Sequence, residues 1–182
     1  MKRENGFTLL ELLVVMALSG IVMAAIYATF LSQQRSYRMT EQVVAVQQNL
    51  RGAMYFMERE LRIAGYDPRR TNDFGVTAIP AIAAQSITFT MDTATENGII
   101  DPGETITYQY NAGANTLTRD AGAGAQVIAE NITGLTLTGM TGTGVATTVG
   151  ANVRWVDVTI TGTLGGHTRT LNTRVRCRNM GL

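Results

Sequence analysis

The sequence predicts an α+β protein in which a long N-terminal α-helix packs on a C-terminal antiparallel β-sheet domain. Three observations lead to this fold class. The first is an apolar run from Phe7 to Phe30. The second is a stripe of apolar residues at spacings of three or four that continues to Ala64. The third is a series of short segments rich in β-branched residues after Pro68.

The apolar run is long enough to form a membrane-spanning helix, since about 1.5 Å per residue carries it across a hydrocarbon core of roughly 30 Å. Lys2 and Arg3 precede the run, which predicts a cytoplasmic N-terminus and an outward position for the rest of the chain. The run is longer than the apolar stretch of a secretory signal peptide and lacks a clean cleavage sequence at its end, so a signal peptide does not explain it. The net charge of +1 points to no particular partner.

One carboxylate, Glu11, lies near the start of this run, where a charged side chain is costly and indicates a function. A short basic leader that ends in Gly6, followed by the residues FTLLE at 7–11 and a long apolar helix, resembles the N-terminus of type IV prepilins, which pilins and type II secretion pseudopilins share. The resemblance implies that residues 1–6 are a leader and that a prepilin peptidase cleaves between Gly6 and Phe7. It also implies methylation of the new amine of Phe7.

The resemblance further implies an assembly role for Glu11. Cleavage would leave a positively charged amine on Phe7, and each charge in an apolar environment needs a partner. The carboxylate of Glu11 would attract the terminal amine of a neighbouring subunit or bind the amine of its own chain, one helical turn away. The alternative is that Glu11 is only a polar residue near the membrane interface.

Small residues recur within the span, residues 7–30, and predict close packing against another helix. Ala17, Gly20, Ala24 and Ala28 are three or four positions apart, which lets a second backbone approach closely in lipid. The alternative is that alanine and glycine are simply common in membrane helices.

Residues 31–65 predict an amphipathic continuation of the helix into the globular domain, because no proline interrupts them. Gly65 and the pair Asp67-Pro68 predict the end of the helix. The residues of the apolar stripe that we expect to pack on the domain are Val43, Val46, Leu50, Met54, Met57, Leu61 and Ala64.

Residues 66–182 predict a β-rich head domain. The predicted antiparallel strands lie in SITFTM, ETITYQY, NTLTR, AQVIAEN, ITGLTLTG, VRWVDVTITGTL and RTLNTRVRCR, with glycine-rich turns between several of them. The apolar residues of VRWVDVTI change phase and predict a bulge or twist near Trp155. These segments resemble the head of PilW-type minor pilins and, less closely, that of the J-type pseudopilin of type II secretion.

The stretch TATENGIIDPGE, residues 93–104, has a spacing similar to that of an EF-hand calcium loop. Asn97, Asp101 and Glu104 would be ligands of a calcium ion. However, the first and third positions are threonines, and Asp92 is one residue too early for the pattern. The alternative is a turn between two strands, stabilised by its Asn-Gly and Pro-Gly pairs. No other cofactor is predicted.

The remaining chemical side chains predict no catalytic site and no nucleic-acid partner. Arg174, Arg176 and Arg178 alternate along one face of a late strand, where charges more often prevent unwanted sheet addition. His167 is the only histidine, so the chain has too few suitable side chains for a metal cluster or for a nucleophile activated by histidine. Cys177 is the only cysteine and is interpreted as a small buried apolar residue, with a reactive thiol as the alternative.

Together with the resemblance, these features predict a function in assembly and not in catalysis. The resemblance implies a minor pilin that is held in the bacterial inner membrane and then enters a type IV pilus for adhesion, twitching motility or DNA uptake. Its partners would be the prepilin peptidase, other major and minor pilins or pseudopilins, and the inner-membrane assembly platform. The alternatives are a minor pseudopilin of type II secretion, in a periplasmic pseudopilus, and a single-pass binding protein that does not polymerise.

Overall fold

The computed structural model describes residues 8–71 and 73–180. It confirms the predicted α+β class, because within these residues one long N-terminal helix packs on antiparallel β-sheets. The chain divides into two compact units, residues 1–41 and 42–182.

Helix α1 spans Leu9–Ile63, close to the predicted limits. Phe7, where the helix was expected to begin, lies outside the described residues. The helix ends at the predicted glycine, since Gly65 adopts a positive φ of 77° that other residues rarely take. The N–H of Gly65 donates to the carbonyl oxygen of Thr90 at 2.9 Å, which joins the end of the helix to the β-structure.

The β-structure of the second unit forms two antiparallel sheets. The first sheet has the order β1-β2-β3-β4-β5 and the second has the order β6-β7-β8. The strands of the first sheet are β1 (Val76–Ala78), β2 (Ser86–Thr90), β3 (Thr105–Asn111), β4 (Thr116–Asp120) and β5 (Gln126–Ala129). The strands of the second sheet are β6 (Ile132–Met140), β7 (Trp155–Leu164) and β8 (His167–Arg176), and a short 3₁₀ helix (Gly150–Asn152) precedes β7.

The hydrophobic core of the second unit combines residues of α1 with residues of both sheets. Ala84, two residues before β2, joins the chain to β6, because Ala84 and Leu137 each donate their N–H to the carbonyl oxygen of the other, at 2.8 and 2.7 Å. The predicted stripe of α1 supplies the helical side of the core, with Val43 half-buried and the others buried, namely Val46, Leu50, Met54, Met57, Leu61 and Ala64. Full burial of a Leu or Met side chain contributes about 1.5–3 kcal/mol, so this stripe holds the helix on the sheets.

The predicted strands are confirmed, with two differences. Strand β1 was not predicted, because three residues are too short to show an alternating pattern. Of the predicted bulge or twist near Trp155, the bulge is wrong, since β7 pairs with β8 residue by residue from Trp155 onward. Val153 is buried before the strand begins and the chain bends at Arg154, which accounts for the phase change in the sequence.

Candidate functional site

Thr8 and Glu11 form a reciprocal hydrogen-bonded pair at the start of α1. The N–H and the hydroxyl of Thr8 donate to Oε2 of Glu11 at 2.9 and 3.0 Å. The N–H of Glu11 donates back to the hydroxyl oxygen of Thr8 at 3.3 Å. This is the capping-box arrangement, which satisfies N–H groups that the first turn of a helix would leave without partners.

The capping box binds the carboxylate of Glu11 to Thr8, which in the sequence is the second residue after the predicted cleavage site. Gly6 and Phe7 lie outside the described residues, so the geometry of the scissile bond itself stays a prediction. Thr8 was missed as a site residue, although threonine followed three residues later by glutamate is a known signal for a helix start. Thr8 is therefore the structural partner of Glu11 at the start of α1.

The apolar part of α1 is long and apolar enough to cross a membrane, by length and composition. The window of the helix that meets this criterion has no buried residues within the chain, unlike the core helix of a globular domain. The small residues Ala17, Gly20, Ala24 and Ala28 all lie in this exposed part of α1. A Cβ atom added at Gly20 would meet nothing within 4 Å, so the packing of this chain alone does not require glycine there.

The structure brings the three predicted calcium ligands together in the loop between β2 and β3. Oδ2 of Asp101 accepts a hydrogen bond from the side-chain amide of Asn97 at 2.8 Å and one from the hydroxyl of Thr95 at 2.5 Å. Oε2 of Glu104 accepts the N–H of Asp101 at 2.9 Å. Asp92, which the calcium pattern left out, is buried, and its Oδ2 accepts the N–H of Gly98 at 2.7 Å.

Glu104 organises this loop through backbone hydrogen bonds. Its side chain is fully buried, and Oε1 accepts the N–H groups of Thr93 and Ala94 at 3.0 and 2.9 Å. Burial alone would raise the pKa of Glu104, but the N–H donors of Asp101, Ala94 and Thr93 together hold that pKa below its usual range. The carboxylates are thus used to hold the loop, and within residues 8–71 and 73–180 no group of three His, Cys, Asp or Glu side chains could hold a metal ion.

A second polar cluster, which the sequence did not reveal, holds α1 on the first sheet. Glu60 of α1 accepts hydrogen bonds from Arg119 of β4, from Nε at 2.9 Å and from a terminal nitrogen at 2.7 Å. The hydroxyl of Tyr108 on β3 donates to Glu60 at 2.5 Å. Burial, together with this contact, raises the pKa of Tyr108 well above its usual range, so Tyr108 remains a neutral donor. We call these three residues the Glu60 cluster.

Two of the arginines near the C-terminus, Arg174 and Arg176, contact side chains of the second sheet. Arg174 makes two hydrogen bonds to Asp157 on β7, at 2.6 and 2.8 Å. The guanidinium of Arg176 lies over the ring of Trp155, 5.5 Å from its centroid. Two members of the predicted basic stripe therefore have partners within their own sheet.

Cys177 follows directly after β8 and is buried as a free cysteine. Burial raises the pKa of its thiol to about 12, and the positive charge of Arg154 opposes this shift. A neutral, buried thiol agrees with the interpretation of Cys177 as a small apolar core residue. His167 is the first residue of β8 and is half-buried.

Comparisons with known proteins agree with this arrangement of an N-terminal motif followed by a separate head. Residues 1–27 match the prokaryotic N-terminal methylation motif. Residues 39–177, more than half of the chain, match the family of prepilin peptidase-dependent protein B. A search of curated proteins gave no match. The chain therefore belongs to the prepilin peptidase-dependent protein B family and is a type IV prepilin-like protein.

Proposed function

We propose that this chain is a minor type IV pilin of the PilW type, which helps to start or cap a pilus together with other pilins. The observation that carries the proposal is the coincidence of the methylation motif with the start of α1, where Glu11 is the one acidic residue of the apolar span. The function is structural: the chain is processed, held in the membrane and then packed into a filament.

The proposed processing creates the charge that Glu11 needs. A prepilin peptidase cleaves between Gly6 and Phe7, and the amine of Phe7 is methylated. The amine then lies near the carboxylate of Glu11, and their attraction compensates for the cost of placing each charge in an apolar environment. The face formed by Ala17, Gly20, Ala24 and Ala28 packs against the helix of a neighbouring subunit.

The proposed location before assembly is the bacterial inner membrane, with the N-terminus in the cytoplasm and the head outside it. Lys2 and Arg3 support this orientation through the positive-inside rule. The partners in assembly are the prepilin peptidase, other major and minor pilins, and the inner-membrane platform. After assembly the chain is part of the pilus.

Mass spectrometry of the full chain from its native membrane tests the proposal. We expect a mature chain that begins at Phe7 and carries one methyl group on its amine. A chain that retains residues 1–6 would overturn the proposal and favour a single-pass binding protein.

A pseudopilin of type II secretion would show the same processing, so co-isolation is the second measurement. Recovery of the chain with sheared pili supports the pilin, and recovery with secretion components supports the pseudopilin.

Calcium binding at residues 93–104 stays a prediction of the sequence, and the hydrogen bonds of Asp101 and Glu104 favour the alternative, a turn held by its own carboxylates. Calorimetric titration of the full chain in detergent with calcium chloride separates the two interpretations. We expect no heat of binding and no rise in Tm. A saturable heat that Asp101→Asn abolishes would establish a calcium site instead.

A further inference from the structure

The face of α1 that points away from the core carries exposed arginine and aromatic side chains. We call it the outer arginine face; it consists of Arg51, Gly52, Tyr55, Phe56, Arg59 and Arg62. Tyr55 and Phe56 are 63% and 48% exposed, in contrast to the fully buried Met57 next to them. Arg51, Arg59 and Arg62 lie on one side of the helix, because Tyr55 is four residues from both Arg51 and Arg59, and Arg62 follows Arg59 by three.

The charge of this face is not balanced by the acidic residues of the same helical segment. Glu58 turns to β8 and accepts a hydrogen bond from Thr173 at 2.7 Å. Glu60 forms an ion pair with Arg119 of β4. Among the described residues, no side chain forms a hydrogen bond or an ion pair with the three arginines of the face. The outer arginine face is therefore an unpaired positive surface.

Gly52 lies in the middle of this face, and the packing of the chain does not require a glycine there. A Cβ atom added there would meet nothing within 4 Å. Glycine destabilises the interior of a helix relative to alanine, so its presence at an exposed position needs another explanation. A glycine on an exposed face allows the backbone of another molecule to come close.

The aromatic pair of the face favours a protein partner. Tyr55 and Phe56 pack edge to face, with ring centroids 6.2 Å apart and planes at 70°. The two rings are therefore nearly perpendicular and do not present parallel faces on which successive nucleic-acid bases could stack. Arginine and aromatic side chains together are typical of the residues that contribute most to protein interfaces.

We propose that the outer arginine face binds an acidic surface of a second pilin-type subunit, whose backbone approaches the helix at Gly52. Charge complementarity identifies the partner surface, since an unpaired positive face is matched by carboxylates. This inference rests on the proposed function, because the occupant is a subunit of the same kind of filament.

Photo-crosslinking in the producing bacterium tests which molecule lies on this face. A photoreactive phenylalanine analogue replaces Tyr55 in the full chain, and the crosslinked product is identified by mass spectrometry. We expect an acidic segment of a pilin-type subunit, with a yield that falls as salt is raised in isolated membranes. A crosslink to lipid or nucleic acid, or no crosslink, would overturn the inference.

Two substitutions separate binding from stability. Arg51→Glu reverses one charge of the face, and we expect about a tenfold loss of co-isolated pilin-type subunits with an unchanged Tm. Arg70→Glu makes the same change at an exposed residue outside α1 and should leave co-isolation unchanged. Gly52→Leu should raise Tm or leave it unchanged, since leucine favours a helix and a Cβ atom added there meets nothing within 4 Å. It should lower co-isolation, because it adds bulk where the backbone of the partner approaches.

The failure of this inference can be told apart from the failure of the proposed function. If the unaltered chain is methylated at Phe7 and co-isolates with pilin-type subunits, but Arg51→Glu and Gly52→Leu co-isolate equally well, the outer arginine face is not the interface and the proposed function stands. If the unaltered chain is neither processed nor co-isolated, both the proposed function and this inference fall.

Discussion

At the scale of single residues, the capping box of Thr8 and Glu11 uses only one of the two oxygens of the Glu11 carboxylate. Oε2 of Glu11 is occupied by the two donors of Thr8. Oε1 accepts no hydrogen bond from the described residues, and a carboxylate oxygen can accept further donors. Glu11 can therefore hold the first turn of the helix and still receive the amine of Phe7, from its own chain or from a neighbour.

Substitution of Glu11 tests the electrostatic part of this account. Glu11→Ala should leave membrane insertion intact and lower incorporation into filaments by roughly tenfold, because an amine without a partner is costly in an apolar environment. Glu11→Gln keeps a hydrogen-bond acceptor for Thr8 but removes the charge, and it should lose as much incorporation as the alanine variant. The measurement is the amount of chain in sheared filaments relative to the membrane. Normal incorporation of Glu11→Gln would contradict the charge-pairing role.

Glu104 gives a prediction for the dependence of stability on pH. Its pKa is lower in the folded chain than in the unfolded chain, where it is about 4.3, so its stabilising effect is present above that pH and is lost as the pH falls through the folded pKa. Glu104→Gln should lower the free energy of unfolding by roughly 1–3 kcal/mol near pH 7, because an amide nitrogen would face backbone N–H donors.

Unfolding of the full chain in detergent between about pH 3 and 8 measures this effect. The difference between the unaltered chain and Glu104→Gln should be constant at neutral pH and shrink below about pH 4. Glu130→Gln, at an exposed position, is the matched control and should show a small difference throughout. A difference for Glu104→Gln that persists unchanged at the lowest pH would show that its backbone hydrogen bonds do not depend on the charge.

At the scale of elements, the Glu60 cluster determines where α1 meets the first sheet. An apolar stripe can slide along a sheet with little loss of buried area, but the hydrogen bonds from Arg119 to both carboxylate oxygens of Glu60 require one position. The side chains of Arg119 and Glu60 are 25% and 15% exposed, so water screens the pair only in part.

Removal of one partner of this pair should therefore be costly. Glu60→Ala leaves Arg119 without its carboxylate, and we expect a loss of about 2–4 kcal/mol in the free energy of unfolding. Asp157→Ala breaks the more exposed pair with Arg174 on β7 and β8, and it should cost at most about 1 kcal/mol. Denaturation of both variants and of the double variant Glu60→Ala/Arg119→Ala provides the comparison. Equal losses for Glu60→Ala and Asp157→Ala would show that the Glu60 cluster does not fix the helix.

Whether a structural feature could be predicted depends on how far apart in the sequence the residues that form it lie. The strands and the stripe of α1 were predicted because alternation and helical spacing are local properties of the sequence. In the Glu60 cluster, Tyr108 and Arg119 follow Glu60 by 48 and 59 residues in the chain, so no local pattern connects them. The short strand β1 was missed for the opposite reason, since three residues hold too little pattern.

At the scale of the whole molecule, the sequence predicts the N-terminal segment better than it predicts the exposed surface of the second unit. The leader glycine, the acidic residue and the apolar run are adjacent in the chain, so the prepilin-type segment could be found without coordinates. Thr8 could have been found by the same reasoning, because its capping signal is also local. The outer arginine face could not, since it depends on which side of α1 the sheets cover and on Glu58 and Glu60 turning toward them.

The burial of Cys177 makes this protein well suited to fluorescence work. A thiol with a pKa of about 12 that is only 2% exposed reacts slowly with maleimide dyes at neutral pH. The native chain needs no cysteine removal, and a single cysteine introduced on the surface would take up the dye almost alone. One chromophore per chain would then allow copies of the protein to be counted and their movement to be followed in living cells.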